Sequence, residues 1–113
     1  MPRPPLRLKR RPEFLRVAAA GRKLPGPSLL LQVLARGDAA PVRVGFTVTR
    51  KVGNAVVRNR ARRRLREAAR LVLAERPAAG FDLVLVGRQA TGGVAFERLK
   101  GELARALDRA GVP

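Results

Sequence analysis

Hydrophobic residues recur along this chain with two periods, and the periods divide it into elements. From Ser28 to Arg36 they alternate: Leu29, Leu31 and Val33 point one way, Leu30, Gln32 and Leu34 the other. That alternation predicts a strand. Val42, Val44, Phe46 and Val48 alternate with Arg43, Gly45, Thr47 and Thr49, which predicts a half-buried strand and the antiparallel partner of the first. Gly37 to Pro41 turns the chain between them, and Arg50 to Val52 is expected to add a short third strand. Phe81 to Gly87 reads FDLVLVG, an almost unbroken apolar run. It predicts a buried strand, and its distance from the earlier strands, with a helix between, suits a parallel crossover.

The helical period appears three times. Pro12 opens a short helix, where its missing N–H costs nothing. Phe14, Val17 and Ala18 form its apolar face, and Gly21 ends it. Arg22 to Pro27, with two prolines and a glycine, is expected to be a loop. Asn54 is placed as an N-cap for a run from Ala55 to about Glu75 that has no Gly or Pro and is rich in Ala, Arg and Leu, all strong helix formers. Val57, Ala61, Leu65, Ala68 and Val72 fall on one side of that helix, a core-facing stripe. After a loop at Gly92 and Gly93, Val94 to Ala110 forms the last helix, with Phe96, Leu99, Leu103, Ala106 and Ala110 on one face. The reading is α+β: one domain over 1–113, a small sheet of about four strands and three helices, in the order α-β-β-β-α-β-α. Residues 1–11, with Pro2, Pro4 and Pro5 among Arg3, Arg7, Lys9, Arg10 and Arg11, are expected to be an irregular, flexible basic arm.

Charge changes the picture from fold to partner. The chain has 113 residues and a net charge of +17. Such an excess points to a polyanion. No stretch approaches the length of apolar residues needed to span a membrane, and the N-terminus lacks the apolar core of a secretory signal, so a cytoplasmic protein is expected. Nine of the 25 basic residues lie between Arg50 and Arg70. On the second helix Asn59, Arg63, Arg66 and Arg70 gather opposite the apolar stripe, flanked by Arg60 and Arg64. Solvated helix faces usually mix signs. This face is nearly all positive, and like charges at helical spacing repel. Glu67, four residues after Arg63 and three after Arg64, is expected to hold those side chains in place. Arginine also grips phosphate with a planar fork.

The string KVGNAVVRNRARRRLREA, Lys51 to Ala68, resembles the signature of the protein subunit of bacterial ribonuclease P, with its Arg-Asn-Arg core at Arg58, Asn59 and Arg60. Leu8, Phe14, Val17 and Gly21, the strand Arg43–Val48 and the strand Phe81–Arg88 fit the same family. The resemblance implies that family's fold, including a left-handed crossover around the basic helix against the usual rule. It implies a cytoplasmic subunit of an endoribonuclease holoenzyme that removes the 5′ leader from precursor tRNA. Catalysis would reside in the RNA, and the protein would bind that RNA and the leader, raising affinity for substrate and metal. The RNA contacts implied are Arg50, Lys51, Asn54, Arg58, Asn59, Arg60, Arg62, Arg63, Arg66 and Arg70. A cleft between the first helix and the sheet would hold the leader, with Phe14, Val17 and Gln32 at its walls. Gln32 departs from the family, whose members often carry an aromatic residue there. Phe46 is open between core and cleft. The chain alone would bind no cofactor, magnesium would belong to the RNA-containing holoenzyme, and no obligate protein partner is evident.

The residues agree that the chain has no active site of its own. It has no cysteine and no histidine, so the commonest general base and metal ligand are missing. Ser28, the only serine, has no base to activate it. The eight acids are scattered, with no spacing for two-metal chemistry. Two other readings are a structural RNA-binding module such as a ribosomal protein, and a DNA-binding protein with the arginine helix in the major groove. The signature argues against the first. Strands flank the basic helix and no helix–turn–helix partner precedes it, which argues against the second.

Overall fold

The run Phe81–Gly87, apolar on both sides of its pleat, takes the centre of the sheet. The computed structural model describes residues 5–113. Its elements are β1 (Leu6–Arg7), α1 (Arg11–Ala20), β2 (Arg22–Pro25), β3 (Leu29–Ala35), β4 (Arg43–Thr47), α2 (Ala55–Ala74), β5 (Phe81–Gly87) and α3 (Phe96–Arg109), with 3₁₀ turns at Arg50–Val52 and Gln89–Gly92. They build one five-stranded sheet in the order β1-β4-β5-β3-β2. β4 runs parallel to β5, and β3 antiparallel to it. Strands buried on both faces read as continuous apolar runs, and from Asp82 to Leu85 every residue of β5 is buried.

That placement corrects one expectation. β3 and β4 are antiparallel in direction, but they are not neighbours, because β5 lies between them. Their connection crosses the start of β5 and is clamped there by Arg36. Its guanidinium donates to the carbonyls of Ala40, Pro41 and Phe81, each at 2.9 Å.

Three further corrections concern short elements. Arg22–Pro25 is an edge strand on β3, with Arg22 opposite Val33 and Pro25 opposite Leu30. An edge is where a strand tolerates proline, whose missing donor then faces outward. Leu6 and Arg7, expected in an irregular arm, pair in parallel with Arg43 and Val44 of β4. The first four residues of that arm, Arg3 included, lie outside the described residues. Arg50–Val52 is a 3₁₀ turn rather than a strand. It closes on Gly53, at φ 156°, where a Cβ would meet the Val57 side chain at 2.9 Å; only glycine adopts that backbone without strain.

The sheet has two covered faces. α2 and α3 bury the larger core, around Leu31, Val44, Leu65, Leu83, Leu85, Leu99 and Leu103. Phe46 packs into this side, which settles its role as core. α1 covers part of the other face, where Leu8, Val17 and Val84 are buried and Phe14, Leu34 and Val86 pack around them. A Cβ at Gly45 would come within 2.5 Å of the Phe14 ring, so the glycine is what lets the ring rest on β4.

Candidate nucleic-acid interface

α2 begins as its sequence dictates. The Asn54 side chain accepts the Val57 N–H at 3.0 Å, satisfying one of the donors a helix start leaves open. Ala61, Leu65, Ala68, Ala69 and Leu73 are buried. Val57 is not: it is 39% exposed, and Val56 is 77% exposed. The first turn overhangs the sheet, and Val57 seats the turn at Gly53 instead of entering the core.

The structure sorts the arginines of this helix into two sets. Arg60 and Arg64 reach toward the 3₁₀ turn before α3. Arg60 Nε donates to the Gly92 carbonyl at 3.0 Å, Arg64 Nη1 to the Thr91 carbonyl at 2.8 Å, and Arg64 Nη2 to the carbonyl of Val94. These two guanidinium groups tie α2 to the segment leading into α3. Arg62 donates to the Asn59 side chain at 3.2 Å. Glu67 pairs with Arg70, not with Arg63 or Arg64 as the spacing suggested, and the hydrogen bond and charge of Arg70 hold its carboxyl below the ordinary range. Arg50, Lys51, Arg63 and Arg66 are exposed, and Arg58 is half-buried. None of these five is ion-paired among the described residues. Arg50 and Lys51 precede α2, Arg63 and Arg66 lie near its middle, and Arg58 lies in its first turn, where the helix dipole is already positive. The first turn carries no acid to offset it. Such a face lacks its counter-charge.

The three residues expected in the cleft between α1 and the sheet differ in what they can offer. Phe14 and Gln32 are half-buried and retain surface. Val17 is fully buried: it anchors α1 and has no surface for a ligand.

Sequence reasoning missed what fixes α1. Asp82, on β5, has no exposed surface, and its carboxylate accepts from Arg36 at 2.6 Å, Arg43 at 2.8 and 2.6 Å, and Arg16 at 3.3 Å. Arg43 continues to Glu13 at 2.9 Å, so the network joins α1 to β4, to β5 and to the start of the β3–β4 connection. Burial pushes the Asp82 carboxyl up, but Arg43 and Arg36 outweigh it and hold the group below 3.8. The available signal was an aspartate inside an apolar strand, since such a residue is buried only when paired. Among the described residues no three carboxylates converge to hold a metal ion, and no helix is long and apolar enough to cross a membrane.

Comparison with known proteins decides the family. The family model for ribonuclease P matches residues 2–111. The chain belongs to the ribonuclease P protein family. It is 62% identical to the ribonuclease P protein component of Gluconacetobacter diazotrophicus over 106 residues, covering 94% of this chain and 91% of that one. It is 50% identical to the component from Paramagnetospirillum magneticum, covering 93% and 82%. The solved ribonuclease P protein of Thermotoga maritima superposes with a TM-score of 0.77 at 30% identity, covering 91% of this chain and 96% of that one. A mutant ribonuclease P protein from Staphylococcus aureus gives 0.80 at 25% identity, covering 95% and 89%. The family is that of a ribonucleoprotein nuclease of tRNA processing, and the expected α+β class holds with five strands where about four were expected.

Proposed function

We propose that the arginine face of α2, with Arg50 and Lys51, binds the catalytic RNA of ribonuclease P, and that the cleft beside α1 takes the 5′ leader of precursor tRNA. The observation that carries this reading is the set of exposed, unpaired cations at Arg50, Lys51, Arg63 and Arg66, on a helix whose opposite face is sealed in the core. Arg58, Asn59 and Arg62 extend the contact at its flank. Arg60 divides its donors between the Gly92 carbonyl and the RNA, and Arg70 does so between Glu67 and the RNA. Asn54 contributes mainly by capping the helix. In the cleft, Phe14 and Gln32 meet the leader, with one aromatic face for stacking.

Catalysis resides in the RNA with its magnesium. The chain's part is to lower electrostatic repulsion between two RNAs, to position the leader, and so to raise the affinity for substrate and metal. The test is reconstitution. Cleavage of precursor tRNA at low magnesium by the catalytic RNA should rise when this protein is added. Scrupulously RNA-free protein should not cleave. Specific cleavage at the mature 5′ end by the protein alone would overturn the division of labour.

A further inference from the structure

Apart from the α2 face and the α1 cleft, the molecule has a concavity lined by arginines. It is a cleft of about 830 Å³ between α3 and the turn joining β2 to β3. Pro25 and Pro27 wall one side, Val94 and Ala106 the other. Arg98, Arg105 and Arg109 line it from α3, and all three are exposed. Their intervals of seven and four residues return them to one helical face. At 1.5 Å per residue they stand roughly 10 Å and 6 Å apart along the axis.

Two acids, Glu102 and Asp108, share the lining with the three arginines, and the second carboxylate oxygen of Glu102 is buried without a partner among the described residues. Asp108 pairs with Arg76 and Glu97 with Lys100. Glu102, which falls between Arg98 and Arg105, turns to the β2–β3 turn and accepts the Ser28 N–H at 3.3 Å. None of the three arginines is ion-paired among the described residues. Gly101, a poor helix residue, leaves room for Arg105 to lie back along α3: a Cβ there would come 3.2 Å from its Nη1.

We propose that this cleft is a second RNA-binding surface, distinct from α2, that takes a single-stranded segment. Phosphates sit on the arginine row, and a base enters between the proline wall and α3. A row of cations along a stiff, apolar slot suits a strand whose bases are free to turn aside, and guanidinium planes add stacking surface. A duplex keeps its bases in the stack and has nothing to place in the slot. The inference rests on the RNA-binding role proposed above. It adds a route by which one protein holds two RNA segments at once, since α3 packs over β3 while α2 packs over β4 and β5.

The test uses the full chain, isotope-labelled, titrated with a single-stranded oligoribonucleotide of about eight nucleotides. Amide shifts are expected at Ser28, Val94 and Ala106, in the native chain and equally in R63A/R66A. They should vanish in R98A/R105A/R109A and return in large part in R98K/R105K/R109K, which restores charge. In the triple alanine variant the log–log salt slope of oligonucleotide binding should shrink by about two, at about 0.7 per lost phosphate contact on a single strand. Shifts on α2 but none at the α3 cleft would overturn this inference and leave the α2 reading standing. So would cleft shifts unchanged in the triple alanine variant, or equal shifts with an acidic peptide of matched charge. Absence of shifts on every face would overturn both readings.

Discussion

Asp82 and Arg36 show how single residues decide what the rest of the chain can do. Arg36 is 11% exposed and Asp82 fully buried, so neither charge is cheap to leave alone. Asp82→Ala removes the buried carboxylate that Arg36 and Arg43 share, leaving them only Asp38 and Glu13 as acidic partners, and removing one partner of a buried pair typically costs about 3–5 kcal/mol. A melt at pH 7 should show a loss of that order, with α1 loosened first because Arg43 and Arg16 lose their common anchor. The same residue predicts a pH dependence. The carboxyl sits below 3.8 in the folded chain, so the unfolded chain binds its proton more readily. The stabilisation is present above that value and is lost as pH falls through the lower folded one. Native protein should therefore lose stability steeply below about pH 4. Asp82→Asn should flatten that descent without abolishing it, since Asp38 and Glu13 are also held below their ordinary values, the first by Arg36 and the second by backbone donors at Arg10 and Lys9. An equally steep acid descent in Asp82→Asn would show that the network carries no such linkage.

At the scale of elements, α2 separates charge from fold. Leu65 is fully buried, and its Cδ1 lies 3.5 Å from the place a Cβ would take at Gly87. Leu65→Ala should cost roughly 2–5 kcal/mol, with RNA binding harmed only through unfolding. Arg63→Ala with Arg66→Ala should leave the melt unchanged or slightly higher, because repulsion falls and Ala favours helix. RNA affinity should drop by roughly tenfold or more per residue, as for charged hydrogen bonds. An early melt with normal binding in the double variant would reverse the assignment of the two faces. α2 was legible in the sequence because its evidence is local: a cap, an unbroken run of helix formers, an apolar stripe. What lay outside the local pattern was not legible. Nothing in residues 29–48 states that β5 will insert between β3 and β4. The prolines of Arg22–Pro27 read as loop, because only the sheet order makes that stretch an edge. Arg60 and Arg64 look like Arg63 and Arg66 in sequence; the carbonyls of Thr91, Gly92 and Val94, 27 to 32 residues on, set them apart. The candidate site was thus legible as a basic helix face, but which of its arginines are free of protein partners was not.

On the scale of the whole molecule, the +17 charge matters less than where its few counter-charges are placed. Among the described residues, six acids pair with six cations: Glu13, Asp38, Glu67, Asp82, Glu97 and Asp108 with Arg16, Arg36, Arg43, Arg70, Arg76 and Lys100. Only Glu67–Arg70 lies on the α2 face. The others stitch α1 to the sheet, hold the β3–β4 connection, and secure α3 and the end of the chain. The acids have gone to the scaffold, and α2 is left bare. Screening sharpens the point. At 0.15 M salt a charge is felt over about 8 Å, whereas the molecule is 38 Å in its longest dimension, so a polyanion responds to the patch beneath it and not to the net charge. Affinity for catalytic RNA should therefore follow the number of bare cations it covers. If it neutralises about six phosphates, affinity should fall roughly a thousandfold between 50 and 200 mM salt, taking the counterion release of duplex DNA as the reference. Arg63→Ala with Arg66→Ala should reduce the log–log slope by about two. Arg36→Ala, which removes one unit of net charge from a buried clamp, should leave the slope unchanged in whatever fraction stays folded. Filter binding of the native chain and both variants across that salt range measures all three. A nearly flat dependence in the native chain, or the same change of slope in both variants, would mean that net charge and not the α2 patch governs the encounter with RNA.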